Sequence, residues 1–427
     1  MLSALALLAA VAFTAASDEE TARQDRAQFP AELHPHLYYV TTAPIADPAE
    51  REDLTIALRL AVPSVSRQPV LERCAPVPVT DTLYRLNLLD LEWNHAEWLA
   101  VVKHHPYTSS ENPLVLRGDW LLIAITDAQE SDAYYRLLFG KRPETRDEAL
   151  AILGVDADPA ARYGLIEGES GVSKQGVRWL ESRPAKRGYA WGTRDVLKLT
   201  AERDMLEQPG GEFKHDGEEW IIGMRKFSLR SGRQGALQAY FLAAGDGKIV
   251  DRAPVDLVED STEFRGYREI RTAGSCIQCH GQGLNYPTTN ELRRLVADGV
   301  DAYADYDKQQ ELEAFHFADF ERELRRANED FGVAVKEACG VESNAAARKY
   351  RDAVHRYDED VDLDRAAGEL GVASDELRLA LAGASARGVQ LTARLAGLAH
   401  GRTIPREAWE ESYLAVRQLY HDWSSQQ

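Results

Sequence analysis

Hydrophobic and polar residues alternate in different ways along this chain, and the pattern first indicates a mixed α/β region. The runs HLYYVTT, TLYRLNLLDLEW and PLVLRGDWLLIAIT are rich in aromatic and aliphatic residues, which predicts strands. The runs EREDLTIALRLAV, SDAYYRLLFG and TRDEALAILG have apolar residues at helical spacing, and the last two end at glycine. We therefore predict a mixed α/β domain over residues 18–195.

The pattern changes twice further along the chain. The runs EWIIGMRKFSLR, GALQAYFLAAG and KIVDRAPVDLV are separated by Gly, Asp and Ser, which predicts a meander of strands over residues 196–287. From residue 288 to 427 the runs are amphipathic with helical spacing, and Asn, Ser, Asp or Pro stands near each predicted start. The sequence therefore predicts an α+β fold that ends in an α-helical domain.

The first residues, MLSALALLAAVAFTAAS, form an apolar run that ends in small residues and precedes an acidic stretch. Such a run is too short to span a bilayer but has the length of the apolar part of a secretory signal. It departs from the usual pattern because neither Lys nor Arg precedes it. We predict a signal peptide over residues 1–17, cleavage near Ala16, periplasmic or other export, and no membrane span in the mature chain.

Composition and charge narrow the classes of partner. The chain has 427 residues, a formal net charge of −19 and a sequence pI of about 5.1. A surface of this sign repels phosphate backbones, so we expect no nucleic-acid partner. Apolar residues make up 44% and charged residues 28%, which is ordinary for a soluble globular protein.

The stretch AGSCIQCHGQGLNYP, where the strands stop and the helices begin, carries the strongest chemical signal. Cys276, Cys279 and His280 form the Cys-x-x-Cys-His pattern of covalent haem attachment. Two intervening residues let one turn of backbone present both thiols to the vinyl groups of one porphyrin edge, and the following imidazole becomes the proximal iron ligand. We predict one covalent haem c, an iron cofactor held by these three residues.

Three other uses of the same residues are weighed against haem. A thioredoxin-like pair would begin a helix in a βαβ unit, which the surrounding pattern does not predict. A zinc site needs a fourth ligand, such as Cys74 or Cys339, but no second pair has metal-ligand spacing. A disulfide between Cys276 and Cys279 would be strained, and pairing of Cys74 with Cys339 stays open.

The sixth iron ligand decides the role of such a haem. His215 is the first candidate and Met224 the second, with Met205 also considered, because a methionine raises the reduction potential relative to histidine. We expect electron transfer to a redox partner protein. The alternative is a haem enzyme or sensor whose open iron site binds a small ligand such as peroxide or nitric oxide, and a third class is an interaction protein stabilised by haem.

Residues from about 210 to 285 resemble a group of bacterial periplasmic c-type haem proteins. Those proteins share a Phe-x-His-Asp-Gly-Gly-Glu stretch, then Gly-Leu-Gln-x-Tyr, then a Pro with an apolar-Val-x-Asp stretch, and then the haem motif. The resemblance implies an exported haem protein but supplies no activity. Glu218 departs from the group, where a second glycine stands. The matching residues here are Phe213, His215, Asp216, Gly217, Leu237, Gln238, Tyr240, Pro254, Val258, Asp260, Cys276, Cys279 and His280.

The acidic stretch DEDVDLDRAAGE resembles a calcium-binding loop only in part. Its acids lie at loop positions, but Leu363 stands where the sharp turn of such a loop needs glycine. We therefore expect these acids to cap and begin a helix.

Overall fold

Two β-sheets and the helices packed around them make up the described part of this computed structural model. That part comprises residues 17–128, 132–155, 177–198, 200, 202–203, 214–260, 263–285, 320–384 and 389–426. The predicted signal peptide, apart from Ser17, and the first helical run after residue 288 lie outside the described residues. The predicted α+β class is confirmed, since helices and both sheets are present.

The N-terminal region folds around a small mixed sheet with strand order β2-β3-β1-β4. Strand β1 pairs antiparallel with β3 and parallel with β4. The strands are β1 (Leu37–Thr41), β2 (Val77–Pro78), β3 (Leu83–Asn87) and β4 (Val115–Arg117). The helices are α1 (Asp18–Arg26), α2 (Pro48–Val65), α3 (Leu71–Cys74), α4 (His95–Val102), α5 (Gly118–Thr126), α6 (Ala133–Phe139) and α7 (Arg146–Ile152), with a 3-10 helix at Ala31–His36.

The central region is an antiparallel meander whose strands follow chain order. Its strands are β5 (Val177–Ala185), β6 (Gly188–Val196), β7 (Gly217–Phe227), β8 (Gln234–Ala244) and β9 (Ile249–Val250). A 3-10 helix at Phe264–Gly266 and the short helix α8 (Gly274–Cys279) follow. The Cys-x-x-Cys-His motif therefore lies between the central sheet and the C-terminal helices, as predicted.

Amphipathic helices form the C-terminal region, as their spacing predicts. They are α9 (Phe320–Cys339), α10 (Ser343–Asp358), α11 (Leu363–Leu370), α12 (Ser374–Ala382), α13 (Ala393–Ala399) and α14 (Arg406–Ser424). Asp362 caps α11, because its carboxylate accepts a hydrogen bond of 2.8 Å from the Arg365 backbone N–H. The acidic stretch is thus a helix start, and the capping interpretation is confirmed.

Two predicted strands differ from the structure. The run 113–126 gives only the short β4, and the rest is α5. This helix is buried on all sides, so its sequence lacks a polar face. Without such a face, the sequence pattern of a helix cannot be distinguished from that of a buried strand. The predicted strand after Val250 also stops early, since Pro254 carries no N–H and its carbonyl accepts from Val258 in a turn.

The regions predicted as separate domains share one hydrophobic core. Its buried residues run from Tyr38 to Leu419, and α10 packs on α2 while α9 packs on both α2 and β8. The boundary predicted at residue 195 falls inside β6, because the β5–β6 hairpin belongs to the central sheet. Within the described residues, no helix combines the length and apolar character needed to cross a bilayer.

A buried ionic cluster, here called the Glu369 cluster, joins the N-terminal sheet to the C-terminal helices. Glu369 accepts hydrogen bonds from Arg117, from Arg406 at 2.9 Å and from the Trp409 indole at 2.7 Å. Arg117 also forms an ion pair with Asp119. Burial acts to raise the pKa of Glu369, but the two guanidinium groups outweigh it and lower that pKa. Glu369 is therefore held in its ionised form by buried guanidinium groups.

Candidate functional site

The Cys-x-x-Cys-His motif occupies the end of α8 and the residue that follows it. Cys276 and Cys279 are three positions apart on this single helical turn, so they share one side of it. The His280 backbone N–H donates to the Cys276 carbonyl at 2.8 Å, which fixes the histidine at the end of the turn. The spacing thus places two thiols and one imidazole together, as the sequence predicts.

The start of α8 is held in a demanding backbone conformation. Ala273 has φ of +70°, which is uncommon for a residue with a side chain, and it forms a β-bridge with Asp127. A Cβ on Gly274 would lie 2.1 Å from the Phe264 ring, so only glycine fits there. Conformations of this kind persist where surrounding contacts fix them, and they cluster at functional sites.

The segment after the motif is held equally closely. A Cβ on Gly281 would lie 2.2 Å from the Ala347 Cβ of α10. Gly283 adopts φ of +101°, in the region that favours glycine. The Asn328 side chain of α9 accepts from the Leu284 N–H at 2.6 Å and donates to its carbonyl at 2.8 Å. Helices α9 and α10 therefore fix the position of the motif.

The His280 ring has one nitrogen anchored to the backbone. Its Nδ1 lies 3.2 Å from the Gly283 carbonyl oxygen, which can only accept, so Nδ1 is the donor. Nε2 points away from that carbonyl and lies 3.4 Å from Glu219 Oε1, so it is the nitrogen that would be left to bind a metal ion. The Tyr240 ring stacks beside the imidazole with centroids 6.1 Å apart.

Behind His280 lies a second buried ionic group, here called the Glu219 cluster: Glu219, Arg178, Asp195 and His280. Arg178 forms two hydrogen bonds with Asp195, at 2.7 and 3.0 Å, and one with Glu219 at 3.2 Å. Burial acts to raise the pKa of Glu219, but His280 and Arg178 lower it to about 2. For Asp195, burial outweighs Arg178 and raises the pKa. An ionised carboxylate therefore faces the imidazole.

The first cysteine of the motif is enclosed. Cys276 is 1% exposed, and burial together with the Glu219 charge raises its pKa well above the usual thiol value. The phenols of Tyr134, Tyr240 and Tyr350 lie nearby, and burial is the main cause of their raised pKa values. A thiolate at Cys276 would raise these pKa values further. Reactive thiolates need the opposite conditions, a lowered pKa and access to solvent. The site therefore disfavours thiolate chemistry at Cys276.

The two predicted sixth ligands lie on the other side of the central sheet. His215 Nε2 is 2.6 Å from Glu218 Oε1, whereas His280 contacts Glu219. Consecutive strand residues point to opposite faces, so the two histidines are on opposite faces of β7. Met224 shares the face of Glu218 and is 4% exposed, as a core residue. The structure brings neither His215 nor Met224 to the motif, and Met205 lies outside the described residues.

The other two cysteines are thiols in separate parts of the core. Cys74 donates to the Leu71 carbonyl at 3.5 Å, and Cys339 donates to the Ile56 carbonyl at 3.8 Å. All four cysteines lie among the described residues and none is in a disulfide. The open question of a pairing between Cys74 and Cys339 is thus answered in the negative.

A polar groove opens beside the second cysteine. It has a volume of about 230 Å³ and runs between the motif and α10. One wall is formed by Gln278, Cys279 and Gln282. The other wall is formed by Asn344, Arg348 and Arg351. Cys279 is only partly buried, so the motif meets solvent on this side.

The donor set is of the kind that covalent haem attachment uses. Two thiols on one turn and an imidazole anchored through Nδ1 match the needs of thioether attachment and proximal ligation. Across the described ranges, no group of three or more His, Cys, Asp and Glu side chains has the geometry to hold a metal ion. An iron bond to His280 Nε2 would replace the contact of this atom with Glu219.

No family model, curated protein or solved structure matches this chain. Fold likeness therefore offers no route to function, and function has to be inferred from the residues of the site. The resemblance to periplasmic c-type haem proteins remains a likeness of short motifs.

Sequence patterns missed the partners of the motif. Arg178, Asp195 and Glu219 come from three different strands, and only pairing of those strands brings them together. One signal was present in β7, GEEWIIGMRKF, where charged residues interrupt an apolar strand. A strand buried over most of its length must satisfy such charges internally, so Glu219 could have been flagged as a residue with a buried partner.

Proposed function

We propose that this protein is an exported monohaem c-type protein that transfers electrons to a redox partner. Haem would be joined to Cys276 and Cys279, with His280 as the proximal iron ligand. The observation that carries the proposal is the anchored imidazole on the same turn as both thiols, with Nδ1 of His280 committed to the Gly283 carbonyl. Histidines that bind metal ions usually donate their second nitrogen in this way.

The residues around the motif support a redox role by holding the site rigid. The bound group would supply a reversible one-electron change at iron. Gly283 fixes the ring of His280, and the close approach of Gly281 to Ala347 fixes the segment against α10. Burial of Cys276 keeps water from one thioether position. A rigid, largely dry surrounding keeps ligation unchanged between oxidation states, which favours rapid electron transfer.

Export belongs to the same proposal, since haem is attached covalently outside the cytoplasm. The support is the apolar run over residues 1–17, followed by acidic residues. Sequencing the amino terminus of the purified mature protein should give a start near Ser17 or Asp18. Recovery of the intact chain beginning at Met1 in the cytoplasm would contradict export.

A second candidate role is favoured by one specific observation. Because His215 and Met224 lie across the sheet from His280, neither described candidate supplies a sixth ligand. An iron with an open sixth position binds small ligands such as carbon monoxide or peroxide, as sensors and haem enzymes do. This alternative shares the covalent haem and differs only on the distal side.

Covalent attachment is tested with one double variant and two single-variant controls. The chain is expressed in a periplasm with haem-maturation machinery and separated by denaturing electrophoresis with haem staining. Cys276→Ser combined with Cys279→Ser should abolish the stained band. Cys74→Ser and Cys339→Ser, which alter buried thiols elsewhere, should leave it. An unstained wild-type band would refute the haem proposal.

The role is then tested on the haem-loaded protein. Optical spectra of the ferric and ferrous forms, with and without carbon monoxide, report the coordination of the iron. A six-coordinate low-spin iron in both states, slow to bind carbon monoxide, supports electron transfer. A five-coordinate ferrous iron that binds carbon monoxide rapidly supports the sensor or enzyme role.

A further inference from the structure

The loop between β7 and β8, residues 228–233, combines exposed apolar side chains with positive charge. Leu229 in the loop is 61% exposed, and Phe227 at the end of β7 is 38% exposed. The stretch 225–234 contains three arginines and one lysine but no Asp or Glu, although the formal net charge of the chain is −19. Exposed apolar residues rimmed by polar ones mark interaction sites, so this loop has the composition of a docking surface.

The backbone of the loop is fixed, so the exposure of its apolar side chains is a property of the fold. The Glu72 carboxylate of α3 accepts from the Leu229 and Arg230 N–H groups at 2.9 and 3.0 Å. It also accepts from the Ser228 hydroxyl at 2.8 Å. The Ser228 N–H donates to the Arg233 carbonyl at 2.9 Å and closes the loop. These bonds pre-organise the loop, which lowers the entropic cost of binding.

The side chains of the hairpin are sorted between the core and solvent. Lys226 and Ser228 are each 1% exposed, whereas Phe227 and Leu229 alternate with them and are open to solvent. This alternation places the two apolar side chains on one side of the hairpin. A Cβ on Gly232 would have no atom of the described residues within 4 Å, so the far end of the loop projects from the protein.

Arg230 and Arg233 supply the positive charge of the loop. Both are exposed, and neither forms an ion pair with an acidic residue in the described part of the chain. The Glu72 carboxylate beneath the loop is bonded to backbone donors. Burial acts to raise the pKa of Glu72, but the Leu229 and Arg230 N–H groups lower it to about 2. The two guanidinium groups are thus directed to solvent, and guanidinium groups bind phosphate through paired N–H donors.

We propose that this loop docks the protein on a lipid surface with anionic headgroups. Phe227 and Leu229 enter the boundary of the acyl chains, while Arg230 and Arg233 contact the headgroup phosphates. Membrane binding of this kind grows with the buried apolar area and with the number of basic residues near the surface. The acidic residues elsewhere do not prevent it, because exposed charges more than about 8 Å apart are largely screened at physiological ionic strength.

A lipid surface fits the loop better than a second protein does. A stable protein interface needs about 20–30 residues on each side, far more than residues 228–233 provide. A membrane accepts a single projecting loop, since its apolar boundary has no fixed shape to match. The proposal does not depend on covalent haem.

The test is co-sedimentation of the purified protein with lipid vesicles. Vesicles of equal parts phosphatidylcholine and phosphatidylglycerol should bind wild type, and vesicles of phosphatidylcholine alone should bind it more weakly. Leu229→Ser should weaken binding to the anionic vesicles about tenfold or more, because an apolar side chain no longer leaves water. Arg230→Gln combined with Arg233→Gln should weaken it to a similar extent, and added salt should weaken binding of wild type.

Matched variants elsewhere on the surface control for apolar area and charge. Leu379→Ser alters a leucine that is 60% exposed on α12. Arg394→Gln combined with Arg417→Gln alters two exposed arginines of the C-terminal region. Both controls should bind anionic vesicles as wild type does. Thermal unfolding of every variant shows that the fold is kept before binding is compared.

Two results would overturn the lipid assignment. One is an absence of binding by wild type to anionic vesicles, or equal binding by wild type and both loop variants. The other is binding of a polyglutamate peptide in place of vesicles, weakened by the two arginine changes, which would assign the loop to an acidic protein partner.

Discussion

The Glu369 cluster and the Glu219 cluster are both buried ionic groups, but their partners differ. Glu369 is surrounded by fixed donors: it accepts from two guanidinium groups and an indole N–H, and Arg365 forms a further ion pair with it at 3.5 Å. Glu219 is bonded to one guanidinium and otherwise faces an imidazole and a thiol, both of which can change their bonding. Arginine stays charged at all ordinary pH values, whereas imidazole and thiol also serve as metal and cofactor ligands.

This difference separates a structural from a functional use of buried charge. A carboxylate whose oxygens are bonded to arginines joins distant segments of the chain and has no partner that readily changes its bonding. A carboxylate that contacts an imidazole and a thiol has partners that can change their bonding, while Arg178 keeps its two bonds to Asp195. Breaking the two clusters should therefore have unequal effects on folding.

The largest expected effect follows from breaking the Glu369 cluster. Glu369→Gln leaves Arg117 and Arg406 buried with too little negative charge, and loss of one partner from a buried pair costs about 3–5 kcal/mol. The free energy of unfolding from urea titration should fall by this amount. Glu342→Gln, which breaks an exposed pair with Lys336 away from the cluster, is the control and should cost under about 1 kcal/mol. Equal losses in the two variants would contradict a structural role.

A third buried charge, Lys226, sharpens the comparison because its bonds are to carbonyls and not to a carboxylate. Its Nζ donates to the Ser66 and Gln68 carbonyls at 2.8 and 2.7 Å. Burial lowers its pKa from 10.5 to about 8. Between these two values the unfolded chain binds more protons, so the contribution of Lys226 to stability rises with pH.

The expected gain across that pH window is on the order of 3 kcal/mol. It should be absent in Lys226→Met, whose stability should therefore rise less steeply from pH 8 to 10.5 than that of wild type. Urea titrations at several pH values measure both slopes. Equal slopes for the two proteins would contradict a lowered pKa of Lys226 in the folded protein.

Breaking the Glu219 cluster should cost less than breaking the Glu369 cluster. In Glu219→Gln the amide can still bond to Arg178, which keeps Asp195 as its counter-ion. We expect a loss at the low end of about 1–3 kcal/mol in the free energy of unfolding. A loss as large as that of Glu369→Gln, measured under the same conditions, would remove the distinction between the clusters.

Two glycine substitutions compare packing at the motif with an open helix surface. Gly281→Ala would bring its Cβ to 2.2 Å from Ala347, and overpacking of this kind costs about 1–3 kcal/mol. Gly332→Ala lies inside α9 with no atom within 4 Å of the new Cβ, so it should stabilise by about 0.5–1 kcal/mol. Thermal unfolding of both variants measures the signs. A neutral Gly281→Ala would show that the motif is loosely packed.

Local patterns predicted most of the fold, and long-range pairing accounts for what they missed. Amphipathic helices such as α10 and α14 follow from their spacing, because one face must be apolar. The helix α5 was missed because all of its faces are buried. The proximity of Cys276, Cys279 and His280 could be predicted because they lie within five positions of the sequence, whereas the placement of His215 depends on which face of β7 it meets.

The bond between Arg117 and Glu369 spans 252 positions of the chain. Arg117, at the end of β4, is synthesised long before Glu369. It therefore lacks this counter-ion until the C-terminal helices have been made. Any fragment that stops before residue 369 keeps a guanidinium in the interior with Asp119 alone. The N-terminal sheet is therefore a poor choice for expression by itself, and experiments on this protein are best carried out with the C-terminal helices in place.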